Sequence, residues 1–507
     1  MRSIGSAVLL ALASAILCFG APAEAAGVLT VGNPFAPVSM DPALSGNGRA
    51  GTFLMPAYEP LLRTRPDGSF EPALAASWSV SPDNKVVTFT LREDAKFSDG
   101  EPVTAAAAKK SIEYWIGKKG PFSTNLATLA SIDVVDDHTF KITLSSGNPN
   151  VLSLFDAYWL SGDLISPKAI DAGANLGAQT YGAGPYMLDA ASTIASKSYV
   201  YVPNPYYYDK SKIYWDKVVI GVFEDQNSAI QAMKTGQLKV LVSDPLTGHA
   251  NEANLPANIH IVSDPVQWLG LFLSDRDGVV NPALKDIRVR QALNFGIDRA
   301  LVTKALFGKL GDPTDQLQGR GFVGHDDTIE AKYPYDPAKA KALLQEAGYG
   351  NGLELKVAYV HNTLSNVFFQ AMAGQYRKIG VTLKGVELQN LGAIAPGAAQ
   401  KQFDSLITNT NSGVPYLAKF QVLDPKGSYN NYNSVDPKLT QLIDDASALP
   451  ADKSEDAWKA VYAYVADIAW FVPVSATHVV YFVTSDVDVP KPGASVVIDL
   501  VRMKPAQ

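Results

Sequence analysis

The residues that could carry out chemistry in this chain are few and scattered. A hydrolase needs an activated nucleophile with a base and an oxyanion site, or a metal-bound water. The sequence contains neither a Gly-x-Ser-x-Gly elbow nor a His-Glu-x-x-His motif. No histidine has a second one at the spacing that would place both on one face of a helix. The six histidines are His138, His249, His260, His325, His361 and His478. Catalysis and a metal site built from local sequence are therefore not expected.

Acidic pairs and one glycine-rich stretch are the other candidates. Adjacent aspartates occur at Asp136-Asp137, Asp326-Asp327 and Asp444-Asp445. They could serve as acid/base pairs, but turns, helix caps and solvated faces explain them better. Residues 181–186 contain Gly182 and Gly184 before Pro185, which blocks the helix that a phosphate loop requires. We expect a tight turn there.

The N-terminus has the layout of a secretory signal. Arg2 precedes an apolar run over residues 4–19, and Ala23-Glu24-Ala25 offers the small residues that a signal peptidase requires. The run is short for a membrane span of about 20 residues, so we expect cleavage near Ala25-Ala26 instead of a retained anchor. The only cysteine, Cys18, lies inside the run without the residues that precede a lipoprotein cysteine. The mature chain would then lack cysteine, which excludes disulfides and cysteine chemistry.

The composition is that of a soluble globular protein with more than one core. At 507 residues the chain is too long for a single compact core, which indicates two or three lobes. Its 47% hydrophobic and 18% charged residues are ordinary proportions for such a protein. Since 50 acidic residues outnumber 43 basic ones, no broad basic surface is expected and nucleic acid is excluded as a partner.

Residues 286–302 carry the most regular helical pattern. Val289, Leu293, Ile297 and Leu301 recur at helical spacing. This spacing predicts one amphipathic helix with one buried face.

Beyond this helix, the chain alternates between helix and strand. Asp336 and the following proline start a helix that ends at Gly348, and residues 353–359 alternate in the manner of a strand. A helix over about residues 365–379 and a strand from Val381 follow. This is the βαβ order of a parallel sheet covered by helices.

Blocks of sequence in a consistent order resemble the periplasmic solute-binding proteins of family 5, which serve peptide, opine and nickel ABC importers. Residues 286–302 are similar to the family's D-x-R-V-R-Q-A signature, with Gly296 where the family usually has alanine. Other similar blocks lie at residues 58–63, 71–78, 96–105, 181–186, 204–208, 336–349 and 378–381. Because the likeness runs from about Asp41 nearly to the C-terminus, the chain is identified as a member of this family.

The resemblance implies a fold. This is the α/β, two-lobed periplasmic-binding-protein fold of class II (cluster C), with an extra subdomain in the first lobe. The expected boundaries are residues 26–266 and 476–507 for the first lobe, about 56–180 for its subdomain, and 267–475 for the second lobe. The apolar passages at residues 266–273 and 472–483 would be the two crossings of the hinge between the lobes.

The resemblance also implies capture of a solute without catalysis. Two lobes would close over a ligand, and a permease would recognise the closed shape. We expect a monomer in the periplasm of a Gram-negative bacterium, without a cofactor. It would deliver a small polar solute, such as a peptide or an opine, to an ABC permease in the inner membrane. A nickel, haem or oligosaccharide-conjugate carrier of the same fold is the alternative, with His478 near the hinge as one possible metal ligand. A secreted hydrolase is the rival from another class.

A missing acid gives the first indication of the ligand. In peptide binders of the family, an aspartate shortly after the strand at residues 403–408 pairs with the α-amine of the peptide. Here Asn409 to Ser412 follow, in what we expect to be a loop; their neutral side chains suit hydroxyls and amides, although a solvent-exposed turn explains them as well. Plain di- and tripeptides are therefore expected to bind poorly, while Arg49 could hold a carboxylate or phosphate.

The residues expected to line the ligand site come from both lobes. For each of the three tryptophans, core packing is the more frequent role. The expected ligand-binding residues are Asn47, Arg49, Phe53, Trp115, Trp159, Trp268, Asn409, Asn411, Ser412, Tyr416, Tyr429 and Asn430. No catalytic residue and no metal ligand is expected.

Overall fold

The computed structural model describes residues 27–45, 50–65, 69–413, 415–449, 453–492 and 499–506. Asn47, Arg49, the expected signal segment and the side chains of Thr124 and Tyr416 lie outside this description. The strands are β1 (Val28–Asn33), β2 (Leu62–Thr64), β3 (Phe70–Pro72), β4 (Ala75–Val80), β5 (Val86–Leu91), β6 (Leu129–Val134), β7 (Thr139–Leu144), β8 (Tyr186–Leu188), β9 (Ser198–Pro203), β10 (Lys217–Val222), β11 (Val240–Ser243), β12 (Ile259–Phe272), β13 (Gly311–Pro313), β14 (Leu353–Val360), β15 (Val381–Leu388), β16 (Ser405–Asn411), β17 (Phe471–Thr484), β18 (Val487–Asp488) and β19 (Lys504–Pro505). The helices are α1 (Gly51–Leu54), α2 (Ala105–Gly117), α3 (Pro167–Asp171), α4 (Gln226–Lys234), α5 (Pro245–Glu252), α6 (Ile287–Phe295), α7 (Arg299–Phe307), α8 (Pro337–Glu346), α9 (Thr363–Arg377), α10 (Ile394–Ala399), α11 (Pro415–Ala418), α12 (Pro437–Ala448) and α13 (Glu455–Asp467). Among the described residues, no helix is long and apolar enough to cross a membrane.

One large sheet extends through both lobes. Its strands follow the order β15-β14-β16-β12-β17-β11-β1-β10-β9-β8, and β13 pairs with β17. β1 is parallel to β10 and β11, and β14 is parallel to β15 and β16. Parallel neighbours need crossover connections, which the intervening helices provide. The predicted α/β class is confirmed.

Two long antiparallel strands, β12 and β17, connect the two ends of this sheet. They pair from Ile259 with Thr484 to Phe272 with Phe471. One half of the pair adjoins β11 and the other half adjoins β16, and the register shifts between Pro265 and Gln267. We call the part built on β1 and β8–β11 the first lobe, and the part built on β14–β16 the second lobe. The two predicted hinge crossings correspond to β12 and β17.

The first lobe also contains a separate four-stranded antiparallel sheet. Its strands follow the order β4-β5-β7-β6. Phe89 and Phe140 stack across β5 and β7 with ring centroids 5.4 Å apart. Trp115, from the buried face of α2, belongs to the same core, so helix and sheet form one hydrophobic unit.

The predicted single helix over residues 286–302 is wrong: the segment forms α6 and α7. Gly296 ends α6, and the Asp298 side chain accepts a hydrogen bond from Leu301 N at 2.9 Å, which caps the start of α7. Ile297 is therefore buried, whereas Leu301 is 52% exposed. A Cβ at Gly296 would lie 2.4 Å from Ile379 Cδ1, so this close approach favours glycine.

The buried polar residues of this segment hold the second lobe together. Arg299 donates to the carbonyl oxygens of Pro473, Asn294 and Tyr333 at 2.8 to 3.0 Å, and to Asn294 Oδ1 at 2.8 Å. Arg290 donates to three further carbonyl oxygens, those of Leu284, Lys285 and Ile468. The family signature thus ties α6 and α7 to β17 and its neighbours.

The segment at residues 181–186, predicted as a tight turn, bends at Gly184-Pro185 and runs alongside another backbone. Gly184 N donates to Ala57 O at 2.9 Å, and Tyr186 N donates to Pro56 O at 2.8 Å. A Cβ at Gly184 would lie 2.6 Å from the carbonyl carbon of Ala57. Glycine is required here for close packing of two chain segments.

Aspartates start several helices, as the sequence predicts for Asp336. Asp225 caps α4 by accepting from Ser228 N, and Asp336 caps α8 by accepting from Lys339 N. The predicted order of α8, β14, α9 and β15 is confirmed. Of the acidic pairs, Asp136 accepts from two backbone amides of a turn and Asp326 accepts from Thr328 N. These are the roles expected of turns and caps.

Candidate functional site

The two lobes touch through a group of side chains that we call the interlobe contact: Tyr158, Trp159, Leu417, Phe420 and Gln421. Trp159, in the first lobe, meets Phe420 of the second lobe edge to face, with ring centroids 5.5 Å apart. Gln421 Nε2 donates to Tyr158 OH at 3.3 Å. Leu417 is buried in the same core as Trp159. The second lobe therefore reaches the first through this group of side chains.

The second-lobe side of this contact is a short, irregular helix. α11 continues directly into a π-helical stretch, Lys419–Leu423, which carries both Phe420 and Gln421. π-Helical turns are rare and occur frequently at functional sites. This turn places the two side chains on the first lobe, while Val422 and Leu423 are buried in the second-lobe core.

Polar side chains gather where β16 ends beside the hinge. Asn409 Nδ2 donates to Gln267 Oε1 of β12 at 3.0 Å, and Gly413 N donates to Asn411 Oδ1 at 2.8 Å. The hydroxyls of Thr410 and Ser412 are buried without a hydrogen-bond partner among the described residues. Each hydroxyl can both donate and accept, so this end of β16 suits a neutral polar ligand group.

The loop expected at Asn409 to Ser412 is wrong for its first three residues. Asn409 to Asn411 continue β16, because they pair with Gln267 to Leu269 of β12. Ser412 N donates to Val266 O at 2.9 Å, which extends the attachment by one residue. Pairing with the long hinge strand overrides the local preference of asparagine and serine for turns.

The first lobe contributes a polar edge that sequence reasoning missed. β11 runs from Val240, paired with Val483, to Ser243, paired with Val480 toward the hinge. β1 is parallel to β11, so its last residue, Asn33, faces the hinge as well. Asn33 Nδ2 is buried without a partner in the described part of the chain. Ligands of α/β sheets bind outside the carboxyl ends of the strands, which is the signal that could have identified Asn33.

The remaining predicted aromatic residues lie in hydrophobic cores. Phe53 packs against Tyr199 with ring centroids 5.0 Å apart. Trp115 is 3% exposed in the core of the small sheet. Trp268 stacks on Phe272 at 4.5 Å inside the second lobe. Of the three predicted tryptophans, Trp159 alone is part of the interlobe contact.

Asn430 contacts a buried arginine of the second lobe, and Tyr429 packs on the neighbouring Phe272. Asn430 Oδ1 accepts from Arg276 Nη1 at 3.1 Å, and the Tyr429 ring lies 5.9 Å from Phe272. The guanidinium lies over Trp470 at 4.4 Å. Burial, reinforced by the charge of Arg290, lowers the pKa of Arg276 to about 9. Asn430 thus stabilises a buried charge at the far end of β12 from the hinge.

Three carboxyl groups of the first lobe have raised pKa values, and one of them, Asp156, is hydrogen-bonded to Tyr158 of the contact. Burial raises the pKa of Asp156 to about 6, against hydrogen bonds from Thr64 Oγ1 and Tyr158 N. Burial also raises the pKa of Asp163 well above its usual value, and the nearby charge of Asp156 adds to the effect. Burial also raises the pKa of Glu59, which lies 3.5 Å from Arg63. These carboxyls favour the neutral form more strongly than exposed ones do.

Comparison with known proteins identifies the family. The family model described as bacterial extracellular solute-binding proteins, family 5 Middle, matches residues 69–432, well over half of the chain. The chain belongs to this family. It is accordingly a solute-binding protein.

Relatives in the solute-binding family differ in the solutes that their names record. The probable D,D-dipeptide-binding periplasmic protein of Escherichia coli K12 is 29% identical over 334 residues, covering 62% of this chain and 61% of the relative, less than two thirds of its length. The glutathione-binding protein of Salmonella typhimurium is 28% identical over 403 residues, covering 78% and 76%. The nickel-binding periplasmic protein of E. coli K12 is 28% identical over 363 residues, covering 66% and 67%.

Solved structures share the fold across nearly the whole chain. AgaA of A. tumefaciens R10 in complex with agropinic acid has a TM-score of 0.79 at 22% identity, covering 95% of this chain and 99% of the other. NikA of Brucella suis with Fe(III)-EDTA has a TM-score of 0.81 at 21% identity, covering 95% and 100%. These likenesses confirm the two-lobed fold.

Proposed function

We propose that this protein captures a small polar solute between its lobes and delivers it to the permease of an ABC importer. The interlobe contact carries the proposal, because it brings Trp159 of the first lobe against Phe420 of the second. A solute that touches both lobes favours the closed form by its differential contacts. Such capture requires no covalent step, so we propose that the protein is not an enzyme.

We propose the lobe boundaries that the sequence predicts. The first lobe would comprise residues 26–266 and 476–507, with a subdomain at about 56–180, and the second lobe residues 267–475. The register shift between Pro265 and Gln267 supports this division, since one half of β12 adjoins β17 beside β11 and the other half pairs with β16.

The solute is proposed to be a peptide-like or opine-like compound with neutral polar groups. The end of β16 offers the hydroxyls of Thr410 and Ser412 together with the Asn409 amide, and no carboxylate that would pair with an α-amine. Asn33 would meet the solute from the first lobe. Arg49 and Asn47 remain proposed contacts, and Arg49 would bind a carboxylate or phosphate of the solute.

We propose a periplasmic location, with the signal segment removed near Ala25-Ala26. Names of relatives such as the D,D-dipeptide-binding and nickel-binding periplasmic proteins support this location. Mass spectrometry of secreted material should give a mature chain that starts close to Ala26. A chain that keeps Met1, or is acylated at Cys18, would contradict the proposal.

Calorimetric titration with a panel of solutes tests the proposed class. The panel comprises an unmodified tripeptide, an opine, glutathione and Ni²⁺, each added to protein that has been unfolded and refolded to remove bound solute. We expect one site for a peptide-like or opine-like compound, with a change in Trp159 fluorescence on closure. Tight binding of Ni²⁺ that changes the Trp159 fluorescence, with no binding of the organic compounds, would favour a nickel carrier. Preference for the plain tripeptide would contradict the proposed lack of an amine-binding acid.

A further inference from the structure

Three side chains on the connection between β13 and α8 have the composition and spacing of a metal site. The ligand atoms of His325, Asp327 and Glu330 all lie within 4.8 Å of one another. His325 Nε2 is 3.3 Å from Asp327 Oδ1 and 3.3 Å from Glu330 Oε2. Two atoms that bind zinc tetrahedrally at about 2.0–2.2 Å are roughly 3.3–3.6 Å apart. The separation therefore matches that of two ligands on one ion.

The His325 ring is oriented for this role. Its Nδ1 lies 3.1 Å from the carbonyl oxygen of Gln318, which can only accept a hydrogen bond, so Nδ1 carries the hydrogen. Nε2 faces the two carboxylates, so a ring that carries its hydrogen on Nδ1 alone would offer the Nε2 lone pair to a cation between them. Metal-binding histidines are commonly held by a backbone carbonyl in this way. The side chain is 8% exposed, so its orientation is well constrained.

Arg320 supplies positive charge to the same two oxygens. Its Nη1 donates to Asp327 Oδ1 at 2.7 Å, and its Nη2 donates to Glu330 Oε2 at 3.4 Å. The Arg320 side chain is 68% exposed. Exposed ion pairs contribute little to stability, so a divalent ion can displace this arginine at small cost.

We propose that His325, Asp327 and Glu330 bind a divalent ion of the Zn²⁺ or Ni²⁺ class, which displaces Arg320. Imidazole and carboxylate ligands suit these ions, and water would complete the coordination. The search for histidine pairs missed this site because it has one histidine, followed by acids two and five residues later. The site lies outside the interlobe contact, but Gly319 N donates to Ser412 O at 3.0 Å, which links the loop to the end of β16.

Equilibrium dialysis with Zn²⁺ alone tests the proposal on the chelator-treated full chain. The variants are His325→Ala, His325→Gln and Arg320→Gln, with His361→Ala as the matched control. His361 is an exposed histidine paired with one carboxylate, that of Glu387. Circular dichroism establishes that each variant is folded.

We expect one Zn²⁺ per wild-type chain. Both His325 variants should bind at least tenfold more weakly, because loss of a ligand exceeds the 10- to 100-fold effect of losing its supporting residue. Arg320→Gln should bind roughly two- to fivefold more tightly, since the competing cation is gone. His361→Ala should match wild type, and Zn²⁺ should raise the melting temperature of wild type, Arg320→Gln and His361→Ala but of neither His325 variant.

Three results would overturn the proposal. One is a wild-type chain that binds no Zn²⁺, whatever the Arg320→Gln variant does. Another is a folded His325 variant that binds Zn²⁺ as tightly as wild type. The third is a loss of binding in the His361→Ala control, which would place the ion at a different histidine.

Discussion

Replacing Phe420 with alanine should weaken solute binding without unfolding the protein. Phe420 is half-buried, and its ring packs on Trp159 of the other lobe with centroids 5.5 Å apart. An edge-to-face aromatic pair contributes about 0.5–1.5 kcal/mol beyond the area it buries. With the partial burial of the ring, loss of the contact should cost the closed form about 1–2 kcal/mol. The open form loses little, because the ring would already be exposed there.

This cost appears as reduced affinity, since only the closed form holds the solute tightly. A penalty of about 1–2 kcal/mol corresponds to roughly a 5- to 30-fold higher Kd. The assay is calorimetric titration with the solute that the panel identifies, together with thermal unfolding of the solute-free protein. Solute-free Phe420→Ala should melt close to wild type.

Phe122→Ala is the matched control. Phe122 also packs edge to face on Trp159, with centroids 5.1 Å apart, but it belongs to the first lobe. Its removal should lower the melting temperature and leave the affinity within about twofold of wild type. Equal affinity of Phe420→Ala and wild type would refute the reasoning, and so would an equal loss of affinity in both variants.

Two further predictions concern stability. Burial raises the pKa of Asp156 from 3.8 to about 6, so the folded state retains this proton longer than the unfolded state and loses stability as the pH rises through that range. The free energy of unfolding of Asp156→Asn, measured with denaturant, should therefore be roughly 1–3 kcal/mol higher than that of wild type at pH 8, and this gain should disappear near pH 4. A gain that is the same at both pH values would contradict this reasoning. Arg299→Lys should lower the free energy of unfolding by about 3–5 kcal/mol, because lysine cannot donate to four acceptors in fixed directions. The control, Arg288→Lys at an exposed position, should have a free energy of unfolding within about 0.5 kcal/mol of wild type. Similar losses of stability in both arginine variants would show that the buried hydrogen bonds of Arg299 do not account for its contribution.

Local signals predict much of the fold. Asp225 and Asp336 cap helices by accepting backbone amide bonds within one turn, so their effect can be read from neighbouring residues. β14, α9 and β15 follow from apolar periodicity, which reflects the face that each element buries. Gly296 and Asp298 are residue types that commonly end one helix and begin the next, although the apolar spacing predicted a single helix.

Features that depend on residues distant in the chain could not be predicted from the sequence. β16 continues through Asn411 because β12 pairs with it, against the local preference of asparagine for turns. Gly184 is required by the approach of Ala57, more than a hundred residues earlier in the chain. Among the candidate site residues, Trp159 could be predicted because tryptophan often contacts ligands. Its partner Phe420 could not be predicted, since the two residues come from different lobes.

Native mass spectrometry of protein purified from its own host tests the central claim most directly. A solute held between closed lobes should add the mass of one small molecule to the folded chain, and denaturation should release that molecule chemically unchanged. A peptide-like or opine-like compound recovered in equal amount to the protein would agree with this account. A folded chain that converts the recovered compound into products would contradict it, because the protein would then act as an enzyme.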